Sequence, residues 1–511
     1  MINTKKKKCV MITGAAGNMG SETVKLMRND LANCELLLLD LDHANSRRKL
    51  REYEGRAGIT VVYGDLLDRK LVQECVKQSD IILHIAAFVS PAADEMPQKA
   101  MQVNYGSVKN IVEAIKESGR EDLTRLVFVG TIAETGDRMP PIHWGRVGDP
   151  IKPSVYDYYA VSKIAAERLV IESGLTYWVS LRQTGIMGPS MSRIQDPIMF
   201  HNCLENVLEY VSDRDSGRLM RNLCIRDIDG TLNNEFWQHI YNIGGGESCR
   251  VSTLEMYQEL YGKLGIKNLD YVIDPTWYAT RNFHGQYYTD SDKLEQYFQF
   301  RRDSMEYFYN SYLENLGMLV PVAKVITKFP GGQKLMGAMI KKTLKKQAVK
   351  ERGTLHFTEN QDMEKIEAYW GSEANYKAIP AKLSIMKKFS EWKTVVKLDH
   401  GYDEDKPDYD LNLEDLKGAA KFRGGECLST VMVTGDWKSK LDFKCAFGHT
   451  FAASPKLVLE GGHFCPTCER ESWNYKERAK REPFFAQVWQ PLHGADDGRM
   501  YKKMVSEFDV E

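Results

Sequence analysis

The chain has 511 residues, 43% of them hydrophobic, with 69 Lys and Arg against 70 Asp and Glu and a formal net charge of -1. This balance describes a globular protein long enough for about three domains and excludes a disordered, collagen-like or membrane-spanning chain. It supplies no whole-protein field for nucleic acid, so no nucleic-acid partner is expected, and ten cysteines are too few for a disulfide scaffold. No run reaches the roughly 18 apolar residues of a membrane helix. The lysines at 5–8 lead straight into Cys9-Val10-Met11-Ile12-Thr13 rather than into a signal peptide, so the expected location is the cytoplasm, where thiols stay reduced.

Short apolar runs bounded by turn residues begin at Val10, Glu35, Thr60, Ile81, Leu126 and Trp178, and helix-length amphipathic segments lie between them. Parallel strands need long crossovers, so this alternation predicts an α/β, doubly wound parallel sheet of the Rossmann type. Ligands of such sheets bind at the carboxyl ends of the strands. After the first run come Gly14, Gly17, Asn18, Met19 and Gly20, where glycines let the backbone approach a pyrophosphate at a helix N-terminus. Asp40 follows the second run and suits an adenosine ribose, favouring NAD over NADP, although Arg47 and Arg48 stand close enough to reach a phosphate.

The stretch from Tyr158 to Glu167 reads as a helix with Tyr159 and Lys163 on one face. An ammonium beside a phenol lowers the phenol's pKa and makes it a general acid/base near neutrality. Thr13-Gly14-x-x-Gly17-x-x-Gly20, Gly64-Asp65-Leu66, His84-Ile85-Ala86-Ala87, Asn104-Tyr105-Gly106, Val129-Gly130-Thr131, Tyr159-x-x-x-Lys163 and the segment Arg182 to Pro189 follow in order. Through these motifs the chain, over about residues 8 to 315, resembles the extended short-chain dehydrogenase/reductase superfamily, in its NAD-dependent epimerase/dehydratase branch.

The resemblance implies that Asp65 and Leu66 flank an adenine, that Ala86 and Ala87 line the cofactor, and that Lys163 holds the nicotinamide ribose. It also implies that Tyr159 is the acid/base, that Thr131 bonds the substrate oxygen, that Asn104 fixes the helix near the site, and that two copies pair through the helices bearing Asn104 and Tyr159. The resemblance is incomplete. Sugar-nucleotide dehydratases carry Asp-Glu directly after the catalytic Thr, where this chain has Ile132-Ala133, with Glu134 one place further on. Epimerases usually show a tyrosine where Thr135 stands.

Arg214, Arg218 and Arg221 are candidates to grip a diphosphate, and the aromatics Trp277, Tyr278, Phe283, Tyr287 and Tyr288, with Trp144 and Tyr156, are candidates to line a cleft for a partly apolar substrate. Beyond Gly317 the family pattern stops. Leu319 to Lys350 carries eight lysines and no acid among apolar residues. Such a stretch can lie on an anionic membrane or bind a partner, and the reading adopted is a pair of helices covering the substrate lobe.

An acidic connector at 399–416 then leads to Cys445-Ala446-Phe447-Gly448-His449 and Cys465-Pro466-Thr467-Cys468, the spacing of a tetrahedral Cys₃His zinc site, with His463 as rival ligand and Cys427 as spare. These knuckles resemble a zinc ribbon or treble clef, and four protein ligands would make the metal structural. The expected organisation is 1–317 sheet domain with substrate lobe, 318–398 basic helical extension, 399–416 connector and 417–511 zinc module. The expected activity is NAD(P)-dependent hydride transfer at an alcohol or carbonyl of a small molecule. Transient oxidation by an epimerase and a non-catalytic NAD(H) sensor are the rivals.

Overall fold

The computed structural model describes residues 7–502 except 190, 192–195, 387, 495 and 496, so both outer ends of the expected segments lie outside the described residues. Seven strands form the central sheet: β1 (Lys8–Thr13), β2 (Cys34–Asp40), β3 (Ile59–Tyr63), β4 (Ile81–His84), β5 (Arg125–Thr131), β6 (Trp178–Gln183) and β7 (His239–Ile243). Their order is 7-6-5-4-1-2-3 with every pair parallel. The chain reverses direction across the sheet between β1 and β4, which opens a crevice at their carboxyl ends.

The strands are apolar on both faces because both faces are covered. On one face Val10, Ile12, Leu36, Leu38, Val127 and Leu181 pack with Met27 of α1 (Asn18–Met27). On the other, Met11, Leu37, Ile82, Phe128 and Trp178 meet Val108, Ile111 and Ile115 of α2 (Pro97–Glu117) and Val170 of α3 (Tyr158–Ile171). That second core continues through Leu441, Phe443, Leu457, Val458, Leu459 and Phe464, so the cysteine-rich end of the chain shares a core with the sheet.

The same end covers the outer side of the two helices that carry Asn104 and Tyr159. Met101, Tyr105, Tyr158 and Val161 pack with Trp473, Tyr475, Phe485 and Trp489, and the Trp473 ring stands T-shaped on Tyr158 at 5.3 Å. These are apolar positions of the two helices through which the resemblance implies a homodimer, and here the chain's own tail occupies them. The acidic stretch is likewise docked: His400 is 1% exposed, its Nε2 3.0 Å from Asp149 Oδ1, while Arg146 makes a two-pronged contact with Glu404 at 2.6 and 2.8 Å.

The substrate-side lobe has its own core of Phe200, Leu254, Tyr257, Trp277, Tyr278 and Phe308. The basic stretch forms α4 (Leu319–Ile326) and α5 (Gly332–Ala348), separated at Pro330-Gly331. Ala323, Val320, Met336, Ile340 and Leu344 pack them onto this lobe.

Leu457 is fully buried in the shared core. Leu457→Ala should destabilise by about 2–5 kcal/mol, and urea unfolding should show one transition for sheet and C-terminal region together. An early, separate C-terminal transition would contradict a common core.

Candidate active site and metal centre

The turn after β1 is built for close approach. Gly14 has φ +67, and a Cβ there would stand 2.9 Å from Ala86 Cα; at Gly20 it would stand 2.1 Å from the Gly14 carbonyl oxygen. No residue but glycine fits either place, because backbone fills the room a Cβ would need, and the tight glycine cradle so formed leads into the N-terminus of α1, whose N-cap Gly17 supplies no side-chain capping group. Asp40 ends β2 and accepts hydrogen bonds from Ala16 N at 2.8 Å and Ser46 Oγ at 2.6 Å, which ties its carboxylate to the turn. The cradle and the carboxylate fit a dinucleotide.

Around this turn, Ala86 and Ala87 are half-buried on the loop after β4, and Ala86 N donates to Thr13 Oγ1 at 3.2 Å. Asp65 is exposed and caps Leu67 N at 2.9 Å. Two side chains differ from expectation: Met19 and Leu66 turn into the core on either side of the sheet, which leaves their backbones alone to meet a ligand. The two arginines that could have reached a phosphate are engaged, Arg47 by Asp42 at 2.6 and 2.8 Å and Arg48 by Asn45 at 2.9 Å.

Thr131 is the last residue of β5 and Tyr159 lies in the first turn of α3, with the threonine hydroxyl among the groups that act on the phenol. The expected lowering of the phenol's pKa by Lys163 is not what the structure shows. Burial pushes Tyr159 well up, the Thr131 hydroxyl opposes this, and Glu134 and Asp157 raise it further. The Lys163 amine lies 4.0 Å from the Phe128 ring centroid. Burial pushes it down to about 8, against the pull of Glu134 and Glu167.

Asn104 holds α3 in place rather than touching the reaction centre. Its Oδ1 accepts from Phe88 N at 2.7 Å, and its Nδ2 donates to Phe88 O at 2.9 Å and Ser162 Oγ at 2.8 Å. Asp94 does the same from the other side, its Oδ1 accepting from Tyr158 N at 3.0 Å and Tyr159 N at 3.3 Å. Burial and the nearby Asp157 push Asp94 up to about 7. Sequence reasoning missed Asp94, whose only signal was an acid in the irregular stretch following β4.

Beneath the site lies a buried charge cluster. Arg182 Nη2 donates to Glu167 Oε1 at 2.5 Å and to the Gly461 carbonyl at 2.7 Å, while its Nε lies 3.1 Å from Glu134 Oε2. Glu134 Oε1 also accepts from Thr131 N at 2.9 Å. Burial and neighbouring Glu167 push Glu134 up to about 8. Glu134 is thus locked below the strand, and in that position it is no stand-in for the Asp-Glu pair of dehydratases. His463 joins the cluster, its Nε2 3.1 Å from Glu167 Oε1 and its Nδ1 3.5 Å from Glu469 Oε2, and so is not a metal ligand.

Other candidates are structural. Arg214 bonds Asp303 at 2.9 Å, Arg221 bonds Asp30 at 2.8 and 2.6 Å, and Arg218 pairs with Asp215, so each of these three guanidinium groups has a carboxylate partner within the fold. Trp277, Tyr278, Tyr287 and Tyr288 are buried lobe core, Trp144 lies T-shaped on Tyr287 at 4.9 Å, and Phe283 stacks on His284 at 4.4 Å. Tyr156 bonds Glu364 and has Lys365 Nζ 3.0 Å over its ring.

The Cys445, His449, Cys465 and Cys468 ligand atoms all lie within 4.8 Å of one another. His449 Nδ1 is 3.5, 3.6 and 3.3 Å from the sulfurs of Cys445, Cys465 and Cys468, and Cys445 Sγ is 3.8 Å from Cys468 Sγ. Those are the edges of a tetrahedron with metal–ligand bonds of about 2.0–2.3 Å. Cys427 sits outside it, in a two-residue strand paired with Lys444 and Phe443.

The glycine cradle at the switch point of a seven-stranded parallel sheet defines a Rossmann-like α/β domain. Residues 10–216 match the model of the NAD dependent epimerase/dehydratase family, and this part of the chain is a domain of that family. An L-arabinose 1-dehydrogenase (NAD(P)(+)) of Haloferax volcanii is 29% identical over 171 residues, 31% of this chain and 59% of that protein. A D-erythronate dehydrogenase of Cupriavidus necator is 28% identical over 167 residues, 32% of this chain and 49% of its own length. The chain thus spans about half the length of these curated relatives. The structure of DesIV, a dTDP-glucose 4,6-dehydratase from Streptomyces venezuelae with NAD and TYD bound, aligns at TM-score 0.48 and 21% identity over 60% of this chain and 98% of that one.

Arg182→Met should cost about 3–5 kcal/mol, because it leaves Glu167 buried without its cation. Chemical denaturation would measure the loss, and a variant as stable as the parent would contradict the assigned pairing.

Proposed function

We propose that the protein is an NAD-dependent oxidoreductase that interconverts an alcohol and a carbonyl on a small molecule, with Thr131, Tyr159 and Lys163 as its catalytic group. The observation that carries this reading is the placement of Thr131 at the carboxyl end of β5 and of Tyr159 in the first turn of α3, on the same edge of the sheet as the glycine cradle. Gly14, Gly17, Gly20 and the backbones of Asn18 and Met19 would hold the pyrophosphate, Asp40 the adenosine ribose, Asp65 and Leu66 the adenine, and Ala86 and Ala87 the wall of the crevice. When bound, NAD supplies the hydride donor or acceptor.

The two hydroxyls hold the substrate oxygen. In reduction the Tyr159 phenol gives its proton to that oxygen, and in oxidation the phenolate takes it back. Lys163 provides positive charge under the phenolate and a donor for the ribose. Asn104 and Asp94 keep α3 in register with Thr131. The burial of Glu134 favours plain redox chemistry over dehydration, which needs a further acid and base at the substrate. The names of the two dehydrogenase relatives support a small, hydroxylated substrate. The aromatic residues first considered for substrate contact are lobe packing and lend no weight to an aromatic one.

We assign Cys445, His449, Cys465 and Cys468 to a structural zinc ion, supported by the tetrahedral spacing of their ligand atoms. The chain is read as a monomer, because its own tail covers apolar positions on α2 and α3.

Tyr159→Phe should lower turnover of a substrate by about 10²–10⁴-fold while NADH binding, followed by fluorescence, stays within twofold. Unchanged turnover would refute the acid/base assignment; a level NADH signal during turnover by the parent would point to epimerisation. Because the phenol is raised, oxidation should speed up with pH across neutrality, whereas reduction should hold level and fall above about pH 8 as Lys163 loses its proton. Metal analysis should find one zinc per chain. Chelation should lower the melting temperature.

A further inference from the structure

We propose that the outer face of α4 and α5 is a docking surface for anionic membranes. The inner faces of these helices are spent on the substrate-side lobe through Val320, Ala323, Met336, Ile340 and Leu344. Their outer faces are unlike an ordinary solvated helix. Met318 is 79% exposed, Leu319 66%, Phe329 65%, Leu335 60%, Met339 59% and Val325 56%. These large apolar side chains fall within 22 consecutive residues, on two helices and the turn between them. Scattered exposed apolar residues are normal, but a contiguous set on one element marks a contact surface.

The charges identify the contact. The stretch from Leu319 to Lys350 holds Lys324, Lys328, Lys334, Lys341, Lys342, Lys345, Lys346 and Lys350 and no acid. Lys341 is used within the fold, its amine bonding the Asp270 and Ile273 carbonyls at 3.2 and 3.3 Å. Among the described residues none of the other seven is ion-paired. On α5 the exposed positions Leu335, Met339, Lys342 and Lys346 recur at three- and four-residue steps and therefore share one face, with Lys345 beside them. A helix that presents Leu and Met between lysines can lie in the plane of a bilayer, its apolar side chains among the acyl chains and its ammonium groups at the phosphates.

A second copy docked by the same face would bring these lysines against their equivalents with no acid between them, which disfavours a symmetric pair. No helix of the described residues is long and apolar enough to cross a membrane, and this mode of contact needs none.

The test is sedimentation of the full chain with phosphatidylcholine vesicles and with vesicles that also contain phosphatidylserine. The protein should pellet with the anionic vesicles alone and be released as salt rises, because screening weakens surface attraction. Replacing Lys342, Lys345 and Lys346 by Gln should weaken partitioning by about 100-fold, at roughly fivefold for each lysine near the surface. Leu335→Glu with Met339→Glu should abolish it while the melting temperature holds, since both side chains already face water. The proposal falls if the parent stays in the supernatant with anionic vesicles at low salt. It falls equally if the protein sediments as an oligomer without vesicles and the two glutamates make it monomeric, which would identify a second copy as the occupant.

Discussion

Arg182 is the charge around which the two ends of this protein are assembled. A guanidinium buried to 1% exposure must be matched, and its partners come from three parts of the chain: Glu134 after β5, Glu167 on α3, and the Gly461 carbonyl near the cysteine cluster. His463, bonded to Glu167, extends the set toward the metal ligands. Removing one member of such a set leaves another charge uncompensated in a low-dielectric interior, which costs more than losing a surface pair. The position of Tyr159 is therefore tied to the C-terminal region: the helix that bears it is held from below by Glu167 and from outside by Trp473.

That coupling explains why the C-terminal third is better described as part of the sheet domain's scaffold than as an appendage. The three-stranded hairpin that carries Cys445 contributes Leu441 and Phe443 to the core beneath the sheet. Farther along, Trp473, Tyr475 and Phe485 cover α2 and α3. Cys445, His449, Cys465 and Cys468 thus lie in a segment held between two surfaces of the sheet domain.

The periodic parts of this architecture were legible in the sequence, since apolar runs separated by amphipathic segments leave few alternatives to a parallel sheet. The glycines after β1 and Cys445, His449, Cys465 and Cys468 were legible too, because turn geometry and metal ligation each demand particular residues at short spacing. Long-range pairing was not. Nothing local marks Arg214, Arg218 and Arg221 as partnered by Asp303, Asp215 and Asp30, or sends His463 to Glu167 instead of to the cysteines. The aromatic residues misled for a related reason: composition reports that a lobe is rich in rings, whereas only packing shows that Tyr287 stacks on Trp392 at 4.6 Å instead of facing a cleft.

The same long-range pairing bears on the acidity of Tyr159. Spacing alone suggested a direct effect of Lys163, but the structure distributes the charge over four buried groups. Arg182 holds Glu167 ionised, well below the ordinary carboxylate range, whereas burial and Glu167 push Glu134 up to about 8. Lys163 is pushed down only to about 8. Burial is what raises the phenol, with the Glu134 and Asp157 carboxyl groups adding to it and Thr131 opposing, so its acidity is set by its surroundings as a unit and not by the lysine four residues away.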